Sequence, residues 1–234
     1  MFIPKLKKYF LLTLIIFGIG TTCRAAGNLP FVDQKTIHFG FLLGINSMNF
    51  RVTPKDSARV STLSPGFTVG IISDLRLNRY LNLRFTPTLY FGERQLNFSK
   101  LKVPDSLKIS SAPISISSIP ICFPVYLKYS AERTGNYRPY LIWGAGVMFD
   151  LATNSNSDNP ITLKPLDFYT EFGAGCDIYF SFFKLAPELK YSIGFGNILV
   201  PFDQRAGLSP ANQRYSKALY ALRSRMITLA FNFE

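Results

Sequence analysis

The sequence is short of the residues that do chemistry. Its 234 residues include one histidine, three cysteines and one tryptophan. Cys23 lies in an N-terminal segment with the marks of an export signal, which leaves His38, Cys122 and Cys176. One imidazole and two thiols do not build a His/Cys metal site of usual stoichiometry, and no Ser-His-acid set with a defined spacing is present. Gly40/Gly44, Gly144/Gly146, Gly173/Gly175 and Gly194/Gly196 do not open a helix, as a phosphate loop requires. They read instead as space for large neighbours in a narrow interior. No catalytic residue, metal ligand or cofactor is predicted, and the chain is not expected to be an enzyme. His38 is expected to be a hydrogen-bonding residue of a lumen or rim.

Acidic residues are scarce as well, 14 against 26 basic ones, for a formal charge of +12. Lys5, Lys7 and Lys8 precede an apolar run from Tyr9 to Gly20, and Thr21, Thr22, Cys23, Arg24, Ala25 and Ala26 follow. A basic start, a short apolar stretch and small residues are the pattern of a signal peptide, here predicted over residues 1–25. Removing it takes four basic residues and no acidic ones, so the charge falls to +8. The remaining basic residues are scattered, which argues against nucleic acid as a partner for an exported chain.

Also missing, after residue 25, is any run of roughly 20 apolar residues, the length a membrane-spanning helix needs. Yet the chain carries 22 phenylalanines and 12 tyrosines, and their arrangement is regular. From Phe168 to Phe180 every second residue (Phe168, Thr170, Phe172, Ala174, Cys176, Ile178, Phe180) belongs to one face; Tyr169, Glu171, Gly173, Gly175, Asp177 and Tyr179 belong to the other. After a tight Ser181–Phe182 connection the alternation resumes, with Leu185, Pro187, Leu189, Tyr191, Ile193 and Phe195 opposite Lys184, Ala186, Glu188, Lys190, Ser192 and Gly194. A period of two is that of a strand. Strands of 12 or more residues with one greasy face and one small, charged face exceed the roughly 5–6 residues usual in soluble sheets and fit a transmembrane barrel.

The same alternation predicts eight strands. The first begins at Ile37, with a bulge expected near Asn46-Ser47, where the apolar residues switch from odd to even positions (Met48, Phe50, Val52). The last is expected over Ile227 to Phe233. Long connections (Thr53–Ser64, Ser99–Ser118, Leu151–Pro165, Asn197–Ser216) alternate with short ones, as they do when loops crowd one rim of a barrel and turns the other. A short helix is possible near Tyr215, Leu219 and Leu222. The predicted organisation is a signal peptide (1–25), a periplasmic leader (26–35) and an all-β, eight-stranded antiparallel transmembrane barrel of outer-membrane type (36–234), with both termini periplasmic. Cys122 falls on an inward face and Cys176 on an outward one, so a disulfide is not expected.

An eight-stranded barrel is just wide enough for its own side chains. The inward set includes Arg84, Lys128, Glu171, Asp177, Glu188 and Lys190, and buried charges persist when they are paired. These six are predicted to form a cross-strand ionic network that plugs the lumen; a position at a hydrated rim is the other reading for Lys128 and Lys190. The lipid-facing wall and the long loops then remain for partners.

Several stretches resemble one family. His38-Phe39-Gly40-Phe41-Leu42-Leu43-Gly44-Ile45-Asn46 followed by Phe50-Arg51-Val52 is similar to the first strand of the PorT proteins, outer-membrane proteins of Bacteroidetes. Ser64-Pro65-Gly66-Phe67, Asp74-Leu75-Arg76-Leu77 and Leu83-Arg84-Phe85-Thr86-Pro87 resemble that family's next hairpin. Leu127-Lys128-Tyr129-Ser130 with Arg138-Pro139-Tyr140-Leu141 is similar to its middle hairpin. Pro187-Glu188-Leu189-Lys190, Ser224-Arg225-Met226-Ile227 and Phe231-Asn232-Phe233-Glu234 extend the likeness to the end of the chain. The resemblance implies a non-enzymatic outer-membrane component of type IX protein secretion, in contact with outer-membrane lipid and other secretion proteins. The alternative is a small OmpA-like or OmpX-like barrel with an adhesive or envelope-stabilising role.

Overall fold

The computed structural model describes residues 28–29, 32–53, 59–60, 64–97, 114–152, 161–201 and 219–234. The predicted signal peptide, Cys23, Tyr215 and much of the long loops lie outside them. A short 3₁₀ turn, Val32–Gln34, precedes the strands β1 (Ile37–Thr53), β2 (Arg59–Val60), β3 (Pro65–Arg76), β4 (Leu81–Phe85), β5 (Thr88–Asn97), β6 (Ile114–Ser118), β7 (Pro120–Ser130), β8 (Tyr137–Asp150), β9 (Leu166–Tyr179), β10 (Lys184–Gly194) and β11 (Ala221–Phe233). All pairings are antiparallel, and β1 pairs with both β11 and β3, so the sheet closes on itself.

The labels reduce to eight staves. β4 and β5 keep one register against β3 and against β7, interrupted at Thr86-Pro87. β6 and β7 likewise form one stave, broken at Ile119, and β2 is a two-residue addition to the loop end of β5. Prolines inside a sheet remove ladder donors. Here Pro87 and Pro124 share one gap, because the interruption in β4–β5 lies opposite residues 123–124 of β7. One break in the ladder thus accommodates both.

Short turns at 77–80, 131–136 and 180–183 lie at one end of the barrel, and the strand ends that lead into the long connections lie at the other. Residues 28–29, 32–36 and Glu234 are at the turn end. The outward face is apolar and open, with Phe39, Phe41, Ile45, Ile71, Leu141, Trp143, Phe168, Phe172, Leu189 and Phe231 all exposed. A continuous belt of this kind far exceeds the few hundred Å² of apolar patch that soluble monomers tolerate. The two cysteines among the described residues are free, Cys122 buried and Cys176 partly so.

The expected bulge at Asn46-Ser47 does not exist: β1 keeps an unbroken register with β11 from Phe41↔Phe233 to Thr53↔Ala221. The chemistry of the two faces inverts instead. Towards the loop end the inward residues become apolar (Met48, Phe50, Val52) and the outward ones polar (Ser47, Asn49, Arg51). β11 does the same, with Leu222 inward and Arg223 and Arg225 outward. In a pattern of period two, inversion of the faces reads like a one-residue slip. The last strand also starts earlier than expected, at Ala221, so Leu222 is a strand residue rather than part of a helix. Ile114–Ser118 and Arg59–Val60, expected in loops, are paired with β5, and β3 extends through Asp74 to Arg76.

Candidate functional site

The interior is where the polar chemistry is concentrated. Period-two alternation sends alternate side chains of every stave inward, and in so narrow a barrel they meet across the axis. Nearest the turn end, Lys128 Nζ of β7 lies 2.8 Å from Asp177 Oδ2 of β9. Lys184 of β10 is 4.0 Å from the same oxygen and 2.6 Å from Glu234 Oε2. Arg84 of β4 gathers three carboxylates: Asp74 of β3 at 2.7 Å, Glu234 at 2.7 Å and Glu188 of β10 at 3.4 Å. Lys190 Nζ continues the chain, 3.9 Å from Glu188 Oε1 and 3.2 Å from Glu171 Oε1 of β9.

Neutral groups occupy the lone pairs that remain. The Tyr126 hydroxyl donates to Glu171 at 2.5 Å and the Tyr140 hydroxyl to Glu188 at 2.6 Å. Ser192 also donates to Glu171, Asn82 to Asp74 at 2.6 Å, and Asn232 to Glu188 at 3.3 Å. Lys128 Nζ stands 4.0 Å above the Tyr140 ring, a favourable place for a cation. Two glycines of β9 make the room: a methyl on Gly175 would come 2.5 Å from the Tyr140 hydroxyl, and one on Gly173 would crowd Lys190.

Arg84, Lys128, Glu171, Asp177, Glu188 and Lys190 are thus all buried and joined in one network, and Lys128 and Lys190 are each 1% exposed, away from any hydrated rim. Asp74, Lys184 and Glu234 belong to it too and were missed. Inward parity was the available signal: Asp74 continues Thr68 and Ile72, and Glu234 follows the outward Phe233. With them the network holds five carboxylates and four cations.

Above the network sits a layer of Met48, Tyr90, Cys122, Met148, Tyr169 and Met226. Higher still, Arg94 donates to Ser224 at 3.2 Å and lies 4.8 Å above the Phe50 ring. At the loop end Phe50, Val52, Leu96, Ile161, Leu163, Ile198, Leu199, Leu219 and Leu222 form an apolar cap. Among the described residues, side chains thus occupy the lumen from the charged network through the Met/Tyr layer to the cap.

The leader crosses the turn-end rim. Asp33 accepts from the Tyr179 hydroxyl at 2.6 Å and pairs with Arg138 at 3.3 Å and Arg133 at 3.4 Å. Burial pushes its pKa up, but the Tyr179 hydroxyl and the cations Arg138, Lys184 and Arg133 outweigh that and hold the carboxyl below the ordinary aspartate value. Arg133 also donates to the carbonyls of Asn28 and Leu29, and its guanidinium lies 3.7 Å from the Tyr179 ring centre. His38, whose side chain sits beside the leader, bonds the Val32 carbonyl through Nε2 at 2.7 Å.

Over residues 26–200 the sequence matches the family described as outer membrane protein beta-barrel domain. The chain belongs to that family. As a member of the outer-membrane barrel family it resides in an outer membrane, and its exposed apolar belt contacts lipid. The family match ends before β11, the strand that closes the barrel onto β1. Compared by sequence with curated proteins, the chain has no match. Among solved structures it is similar to Neisserial surface protein A (TM-score 0.45, 12% identity, 85% of this chain and 98% of that one). It is also similar to Ail, the attachment invasion locus protein of Yersinia pestis (TM-score 0.36, 11% identity, 85% and 98%). The outer membrane protein AlkL, determined in lipid bilayers, is a third (TM-score 0.39, 9% identity, 92% of each chain).

Proposed function

We propose that this outer-membrane barrel supports type IX protein secretion as a structural or assembly subunit, acting through its loops, rims and wall and not as a pore or an enzyme. The observation that carries the reading is the lumen, which the described residues occupy with a network of nine paired charges below and an apolar cap above. Any role in export must then be exerted from the outside of the barrel. The secretion assignment itself is supported by the ordered resemblance to PorT proteins from the first strand to the last. In this reading residues 1–25 are a cleaved signal peptide, the turn end with the leader and Glu234 faces the periplasm, and the long loops face outward.

Deleting the gene and assaying the medium for cargo with a type IX C-terminal signal domain tests the proposal, and loss of that cargo is expected. Secretion at the wild-type level would remove it and leave the small envelope-stabilising barrel as the reading. In planar bilayers the purified protein should show no large, steady conductance; such a conductance would contradict the plugged lumen.

A further inference from the structure

The outer wall carries an unbalanced cluster of charge near the loop end of β1 and β11. Arg51 of β1 and Arg223 of β11 are direct cross-strand partners, both exposed on the outward face. Arg225, two residues along β11 on the same face, is paired with Asn49. Like charges directly opposite one another on a sheet repel, so this placement calls for a counter-anion. Among the described residues none of the three forms an ion pair, and Arg225 Nε is shielded from solvent without a hydrogen-bond partner.

Their height says where the anion comes from. On the same two strands the apolar belt runs from Phe41 and Phe233 up to Ile45, Leu229 and Ile227, all outward and exposed except the half-buried Phe233. Towards the loop end Arg225 lies two residues beyond Ile227 and Arg223 four, about 7 and 14 Å along the strand at the usual rise. This is the level at which the faces invert, with apolar side chains turning inward and polar ones outward. The guanidiniums therefore stand where hydrocarbon gives way to headgroups. A guanidinium presents a planar fork of donors that matches phosphate oxygens, and acyl chains of the same lipid would lie on Ile45, Ile227 and Leu229.

We propose that Arg51, Arg223 and Arg225 form a binding site for the phosphate of a lipid headgroup in the loop-side leaflet. The inference goes beyond the secretion role and does not depend on it; it rests on the membrane placement alone. The test uses the full chain purified in neutral detergent, with phosphatidic acid as the probe and diacylglycerol, which lacks the phosphate, as its comparison. Retained lipid is read by native mass spectrometry. Phosphatidic acid should bind and diacylglycerol should not. Affinity should fall about fivefold for each arginine replaced in Arg51→Gln/Arg223→Gln/Arg225→Gln, while Arg79→Gln in a turn-end loop changes nothing. Folding of each variant is checked by its gel mobility before and after boiling, and the single Arg223→Gln variant gives the same reading with a smaller drop if the triple one does not fold. Equal binding by variant and wild type, equal binding of diacylglycerol, or displacement of the lipid by excess inorganic phosphate would each overturn the proposal.

Discussion

Replacing Arg84 by methionine keeps most of the side chain's length and removes its charge. In the native barrel the guanidinium lies 2.7 Å from Asp74, 2.7 Å from Glu234 and 3.4 Å from Glu188, all with side chains no more than 2% exposed. The three carboxylates are not left equally bare. Glu234 keeps Lys184 at 2.6 Å, and Glu188 keeps the Tyr140 hydroxyl at 2.6 Å and Lys190 at 3.9 Å. Asp74 retains Asn82 and no cation within ion-pair distance among the described residues. Breaking a buried pair by removing one partner costs about 3–5 kcal/mol, and the cost should concentrate at Asp74. Arg84→Met should therefore lower stability by about that amount. Adding Asp74→Asn should recover part of it, with a coupling of about 0.5–3 kcal/mol between the two positions. Denaturant titration of the protein in neutral-lipid vesicles, followed by gel mobility and by Trp143 fluorescence, measures both. Stability of Arg84→Met within about 0.5 kcal/mol of wild type, or strictly additive effects, would show that water already solvates these carboxylates and that the lumen is not a plug.

Asp33 gives a pH dependence. Its carboxyl is held below the ordinary aspartate value when the leader is docked, so its contribution is full above that ordinary value and is lost as the pH falls through the lowered one. Protease cleavage within residues 28–36 should accelerate as the pH is lowered through that window, and Asp33→Asn should abolish the dependence. Gly175→Ala should destabilise the barrel by about 1–3 kcal/mol, because the new methyl meets the Tyr140 hydroxyl and the Pro187 carbonyl; an unchanged denaturation midpoint would refute the packing argument. Trp143, the single tryptophan and 61% exposed on the belt, should be quenched by lipids brominated in their chains and not by aqueous iodide; the reverse would place the belt in water.

Much of the barrel could be read from the chain because its cause is local. Hydrocarbon on one side and a packed lumen on the other impose a two-residue alternation on each stave separately. That pattern marks strand number, inward and outward faces, and the rim each connection occupies without knowledge of any neighbour. It also placed Glu171, Asp177, Glu188 and Lys190 on the interior face of one hairpin. Where the local environment reverses along a strand, as at Met48 and Phe50, the same logic misread an inversion of the faces as a bulge.

Which charges meet was a different matter. Arg84 and Glu188 are 104 residues apart, and Arg84 and Glu234 are 150 apart; their contact depends on the stagger accumulated around the closed sheet. That stagger is a property of the whole ring of hydrogen-bonded pairs and is carried by no single segment. The pairing of Arg51 with Arg223, the shared gap of Pro87 and Pro124, and the apolar cap drawn from two loops and three strands have the same origin. The sequence by itself determined that this chain is a barrel built for lipid, whereas closure of the sheet determined which buried carboxylate answers which cation.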